Sequence, residues 1–383
     1  MRPRAYLDHN ASTPLDPAVR DAMAKAEAMT WGNPSSPHLE GRLAREILEE
    51  ARGRVAATLG CRPREVLFTS GGTEAVNLAL VGAARARAAS GKRVVVTAIE
   101  HSCVTDAADA LGREGYEVVR VAPTPDGRVE AGAVDAACAP GTSVAAVMLA
   151  NHETGAILPV RAVAEAVRAR GVAVLCDAAL GPGQVEVRVE ALGVDLLALS
   201  AHKWNGPKGI GALYVRRRTK LEPLLRGGPQ EERIRGGTEN VVGAVGLATA
   251  LERAVASAEA RRTRYRALTE RLLGGLLAAI PDARLLGPAE PRLPSTVLLE
   301  LPGCEGEAVL VNLDLEGIST STGSACAVGG TSASPVLLAM GLSTKRASST
   351  IRFSVGEGTT DADVDRVLSA LPAIVGRLRA LAR

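Results

Sequence analysis

The sequence predicts an α/β protein: a mostly parallel, doubly wound sheet flanked by helices, followed by a smaller α+β region. Three observations carry this. Short runs of Val, Ile, Leu and Ala, of strand length, recur at residues 66–69, 93–99, 144–150, 172–176, 196–200 and 210–215. Helical patterns at 41–58, 74–89 and 160–170 fall before and between them, and a long one extends over 242–280. Hydrophobic residues make up 46% of the 383-residue chain but aromatic residues only 2%, so the core is built from aliphatic side chains that suit close helix-on-sheet packing. Apolar runs without alternation are buried on both faces, as in parallel strands covered by crossover helices.

Beyond Pro281 the pattern changes. A Pro-rich connection leads to an extended segment at 295–301, a Gly/Ser/Thr/Ala-rich tract at 317–334 and an amphipathic helix at 361–381. Pro302-Gly303 and Gly329-Gly330 mark turns, and there is no internal repeat.

The charge balance, 45 Lys+Arg against 42 Asp+Glu, gives a formal net charge of +3, so bulk electrostatics selects neither nucleic acid nor an anionic membrane. No apolar run approaches the roughly 18 residues of a membrane span, and the N-terminus lacks a signal-peptide pattern. The six cysteines show no CxxC spacing and there are only five histidines, which signals neither a disulfide framework nor a metal site. A cytoplasmic location is expected. Chemistry that needs a primary amine has six candidates: Lys25, Lys92, Lys203, Lys208, Lys220 and Lys345.

In a doubly wound sheet, ligands bind outside the carboxyl ends of the strands. The polar residues collect there. After 66–69 comes Ser70-Gly71-Gly72-Thr73-Glu74 and then a helix, an arrangement suited to phosphate, although a plain N-cap turn reads the same way. It is neither a Walker loop nor GxGxxG. Glu100-His101-Ser102 follows 93–99, Asn151-His152-Glu153-Thr154-Gly155 follows 144–150, Asp177 follows 172–176, and Ala201-His202-Lys203 follows 196–200. One His or Asp at a strand end is commonly a cap, but four successive ends carry them here. A phosphate cradle, a carboxylate, a flat imidazole and a lysine together are what pyridoxal phosphate requires: the amine to bind it and the acid to keep its ring nitrogen protonated.

Tyr6-Leu7-Asp8, Ala11-Ser12-Thr13-Pro14, Asn33-Pro34-Ser35-Ser36 with His38, Thr69 to Glu74, Ser200 to Lys203, Gly206-Pro207-Lys208-Gly209, Gly236-Gly237-Thr238, Gly323-Ser324-Ala325-Cys326 and Ser349 to Ser354 resemble the cysteine desulfurases in order and spacing. The resemblance implies the class V aminotransferase group of the fold type I pyridoxal-phosphate-dependent transferases. Their sheet is mostly parallel and seven-stranded, and they are homodimers. It also implies a large cofactor-binding domain at 15–255, and a small one made of 1–14 and 256–383 that carries the catalytic cysteine.

Carried over by position, Lys203 is the Schiff-base lysine, Asp177 the partner of the pyridine nitrogen, and His101 the ring that stacks on the cofactor. Gly72, Thr73, Ser200 and His202 hold the phosphate, with Thr238 reaching it from the other subunit. Arg352 and Asn33 bind substrate, Arg352 through the carboxylate of L-cysteine. Cys326 is the nucleophile that takes the sulfur as a persulfide, in a tract as long as that of the long-loop members. Those pass sulfur to iron–sulfur scaffolds or to carriers for tRNA and cofactor thiolation. The remaining cysteines read as packing, Lys208 as a turn residue, and His9 and His38 as either loop structure or cleft rim.

Three positions depart from the family pattern. His152 stands where the family has an Asn that bonds the cofactor's phenolic oxygen and is placed with the cofactor-binding residues, while Leu180 replaces a Gln that donates to the same oxygen. Glu232 replaces an Arg. Alternatives on the same fold are selenocysteine lyase, cysteine or cystine C–S lyase and aminotransferase; a non-catalytic scaffold-binding protein is disfavoured by Lys203.

Overall fold

The structure, a computed structural model, describes residues 4–322 and 333–381. Ala5–Tyr6 (β1) leads into helices Pro17–Met29 (α1) and Leu39–Leu59 (α2). Val66–Thr69 (β2), Gly72–Ala86 (α3), Arg93–Thr97 (β3), Ser102–Arg113 (α4), Glu117–Val121 (β4), Ala131–Ala137 (α5) and Thr142–Ala146 (β5) follow. Next come Val160–Val167 (α6), Ala173–Asp177 (β6), Val189–Leu192 (α7), Leu196–Ser200 (β7), Gly211–Val215 (β8), Val241–Ala256 (α8) and Ala258–Ala279 (α9). The rest is Arg284–Leu285 (β9), Thr296–Glu300 (β10), Gly306–Leu315 (α10), Ile318–Ser319 (β11), Pro335–Ala339 (α11), Thr344–Ala347 (α12), Thr350–Ser354 (β12) and Asp361–Leu381 (α13).

Strands β2 to β8 make one seven-stranded sheet in the order β2-β8-β7-β6-β5-β3-β4. Only β8 runs against its neighbours. All six apolar runs read from the sequence lie in it. Successive residues part to opposite faces: Val95, Ala145, Val174 and Leu197 join one core, with α2 and α8, while Val94, Val96, Val144 and Leu175 join the other, with α3 and α4. This two-sided burial is why the strands are uniformly apolar. The seventh strand of the seven that the resemblance implies is β4, which no apolar run in the sequence marks. It pairs only with β3, and its Glu117 and Arg120 are exposed, so as an edge strand it lacks the continuous apolar run.

The long helix expected over 242–280 is two helices, α8 and α9, bent by 70°. Ser257 ends α8: its N–H and its hydroxyl both bond the Arg253 carbonyl, at 3.1 and 2.7 Å, and its Oγ accepts from Arg261 Nε at 2.8 Å. A serine hydroxyl that bonds back to the carbonyl four residues earlier favours a bend, and here the bend needs neither Pro nor Gly. The bend sends α8 over the large sheet, against α1 and α2, and α9 toward a second core. There α9 and α13 cover the antiparallel sheet β12-β10-β9 through Leu268, Leu272, Phe353 and Val367. β1 pairs in parallel with β11 beside them. Among the described residues no single helix is long and apolar enough to cross a membrane.

Candidate active site

The carboxyl ends of β2, β6 and β7 and the segments after β3 and β5 open on one cavity of about 570 Å³. Gly72, Thr73, His101, His152, Asp177, Ser200, His202 and Lys203 all stand in its wall. β5 ends at Ala146, yet the Val147 and Leu149 N–H groups still bond β6 residues, Leu175 O at 2.9 Å and Asp177 O at 2.8 Å, and this extension delivers His152 to the wall.

The floor is anionic. Asp177 ends β6, and its Oδ1 accepts the Ala179 N–H at 3.0 Å. Burial pushes its carboxyl up, while that bond and the charges of His101 and Lys203 pull it down. A half-buried carboxylate with so few donors suits a cationic partner. On one wall α3 starts at Gly71-Gly72 with no side-chain cap, so its first amides face the cavity as an anion site. A Cβ at Gly72 would sit 3.0 Å from Ser200 Cβ, close enough that the two backbones would have to part by a few tenths of an ångström. Glu74 braces this turn, accepting the Ser70 N–H at 2.7 Å and Arg235 Nε at 2.8 Å.

Lys203 Nζ donates to the carbonyls of Asn10 (2.7 Å) and Ala11 (3.0 Å), which hold the amine at the cavity. His202 Nδ1 lies 3.2 Å from Ser12 Oγ; burial, with Lys203 and Lys208 adding, takes its pKa down to about 4, so it is neutral. His101 caps α4, its Nδ1 accepting the Cys103 N–H at 3.2 Å with Cys103 Sγ at 3.1 Å. The backbone donor leaves the proton on Nε2. The His101 and His152 rings meet edge to face, centroids 5.3 Å apart.

Other expected residues lie elsewhere. Asn33 is exposed between α1 and α2, its Oδ1 taken by the Ser35 N–H at 2.9 Å, so within one chain it does not reach this cavity. Thr238 is exposed on the loop before α8 and also misses the wall. Arg352 is enclosed, 2% exposed, its Nη2 on Asp8 Oδ1 (2.7 Å) and its Nη1 on the His152 carbonyl (2.9 Å). Cys326 lies outside the described residues. His38 caps α2 by accepting the Gly41 N–H, and His9 is buried against Tyr6. Lys208, read as a turn residue, lines the cavity with Cys103 and Ser12, none of which the sequence marked as cofactor neighbours.

Glu100, directly before His101, gives a pH signature. Its Oε1 accepts the Thr97 hydroxyl (2.7 Å) and the Met148 N–H (2.8 Å). Burial pushes its carboxyl up to about 8 against those two bonds, with Asp177 adding to the rise. The folded protein keeps a proton that the unfolded chain gives up near 4.5, so this stability is complete below that pH. It is lost as pH rises toward about 8, at roughly 1.4 kcal/mol per unit. Glu100→Gln is expected to flatten the fall in melting temperature between about pH 5 and 8; equal slopes in the two proteins would refute it.

The model of the aminotransferase class-V family matches residues 5–367. An IscS-like cysteine desulfurase of Mycobacterium tuberculosis is 43% identical, over 98% of this chain and 97% of its own. The cysteine desulfurase IscS of Dictyoglomus turgidum is 38% identical, over 100% and 97%. The chain belongs to the cysteine desulfurases of that family. Among solved structures, a NifS-like protein superposes on this desulfurase with TM-score 0.91 at 33% identity, covering 98% of this chain and all of its own. A structure described as SspA in complex with cysteine gives 0.81 at 31% identity, over 92% and 98%.

The family depends on pyridoxal 5′-phosphate, and the wall of the desulfurase fits it. The uncapped start of α3 with Ser200 and His202 suits a phosphate, the half-buried Asp177 suits a protonated ring nitrogen, and Lys203 supplies the amine.

Proposed function

We propose that the protein takes sulfur from L-cysteine. L-Cysteine and the Cys326 thiol give L-alanine and a Cys326 persulfide, whose outer sulfur then passes to an acceptor protein for iron–sulfur assembly or for thiolation of tRNA or a cofactor. The observation that carries this is the meeting of Lys203, Asp177 and His101 at one cavity beside an uncapped helix start. Bound there, the cofactor supplies an electron-accepting ring for bond cleavage next to the substrate amine.

The side chains divide the remaining work. Lys203 Nζ binds the cofactor and, once freed, carries protons to and from the substrate. Asp177 keeps the ring nitrogen protonated, and His101 packs against the ring and offers Nε2–H. Arg352 is assigned to the substrate carboxylate through the resemblance; enclosed and held by Asp8 and the His152 carbonyl, it would have to release Asp8 to take up that role. A homodimer belongs to this reading: Thr238 and Asn33, exposed and away from their own cavity, are residues suited to a partner's site. So do a large domain at 15–255, a small one formed by 1–14 with 256–383, and a cytoplasmic location, which the free described cysteines fit.

Mixing the purified holoenzyme with L-cysteine tests the reading. Alanine and protein persulfide are expected in equal amounts during the first turnover. Pyruvate and ammonia would make the protein a lyase.

A further inference from the structure

His152 and Glu153 sit side by side, one in the cavity wall and the other buried at 2% exposure. His152 Nε2 lies 3.7 Å from Glu153 Oε1. The other carboxylate oxygen, Oε2, accepts the Ser334 hydroxyl at 2.6 Å, and Ser334 is itself fixed, its Oγ accepting the Leu337 N–H at the start of α11 (3.2 Å). His152 Nδ1 is buried and has no hydrogen-bond partner. A neutral imidazole carries one proton, and the nitrogen that faces a carboxylate is the one that keeps it.

We infer that Glu153 is a positioning residue: its carboxylate, pinned by Ser334, holds His152 as the Nε2–H tautomer and sets the ring's angle at the cavity wall. The inference rests on the assignment of this cavity to the cofactor and deepens it. A carboxylate behind an imidazole fixes tautomer and ring orientation in many sites. The charged groups that shift His152 are His101, Arg352 and Lys203, and Arg352 also acts on Glu153, so the link between His152 and Glu153 rests on their 3.7 Å approach. Asp177 and Glu74 line the same cavity, and Glu153 is the carboxylate that stands against the His152 ring; burial pushes its carboxyl up, while the Ser334 bond and Arg352 pull it down. Leu180, in the same wall, offers no polar atom to share the task. The His152 substitution thus places an imidazole, rather than an amide, against the carboxylate of Glu153.

The bound cofactor is the probe, through the pH midpoint of its visible absorption in holoenzyme without cysteine. Glu153→Gln is expected to move that midpoint by about half a pH unit, a factor of about three. Ser334→Ala should move it the same way by less. In a His152→Asn background, neither change should move it further, which isolates the coupling. An unmoved midpoint in Glu153→Gln overturns the inference. An equal shift in both backgrounds also overturns it, because the carboxylate would then act by charge alone. If Glu153→Gln fails to fold, Ser334→Ala in the two backgrounds decides by the same criteria. Native protein that shows no cofactor band would overturn this inference together with the cofactor assignment, whereas the other failures leave that assignment standing.

Discussion

Lys203→Ala protein is expected to lose the visible absorption of a lysine-linked cofactor and to form alanine from cysteine at least about a thousandfold more slowly. The amine is set by two carbonyls, those of Asn10 and Ala11, at 2.7 and 3.0 Å. Of the other five lysines only Lys208 lines the cavity, and it is exposed. Lys203→Arg should keep the charge and still fail, because a guanidinium does not condense with the cofactor aldehyde as an amine does. Spectra recorded after equilibration with the cofactor, beside an alanine assay, check both variants. A native spectrum in Lys203→Ala would transfer the covalent role to Lys208.

The second large effect separates cofactor from sulfur chemistry. Cys326→Ala is expected to keep the cofactor band and to show no protein persulfide, with sulfide release at least about a hundredfold lower. Both flanks of the segment that bears Cys326 are tied near the cavity. Ser321 exchanges backbone bonds with Arg352, which holds the His152 carbonyl, and Ser334 bonds Glu153 beside His152. Mass spectrometry of the protein after one turnover reads the added sulfur, and an unchanged persulfide signal would place the nucleophile at another cysteine.

The large sheet was legible because burial on both faces demands unbroken aliphatic runs, and the site was legible because His101, Asp177 and Lys203 stand where those runs end. β4 was hidden by the polar side chains that an edge strand tolerates. The break at Ser257 was hidden because the bend there needs neither a glycine nor a proline. Contacts made through the backbone left no trace in residue type: Asn10 and Ala11 hold Lys203 through carbonyls that any residue owns. The Asp8–Arg352 pair joins the two ends of the chain, so no spacing announces it. Lys208 read as a turn because a GPKG tract is one; only the fold shows that this turn borders the cavity.

The segment that brings Asn10 and Ala11 to Lys203 has its own mooring at the other end of the chain. Ala5 pairs with Ile318, and the Leu7 carbonyl accepts the Ser354 N–H at 2.8 Å. During synthesis the large sheet is complete once β8 has emerged, but β11 and β12 are not yet made. The segment is thus moored from two sides: Thr13 and Asp16 bond the backbone of His202 and Asn205 beside Lys203, while its first residues wait for β11 and β12. Such a late, long-range closure slows folding.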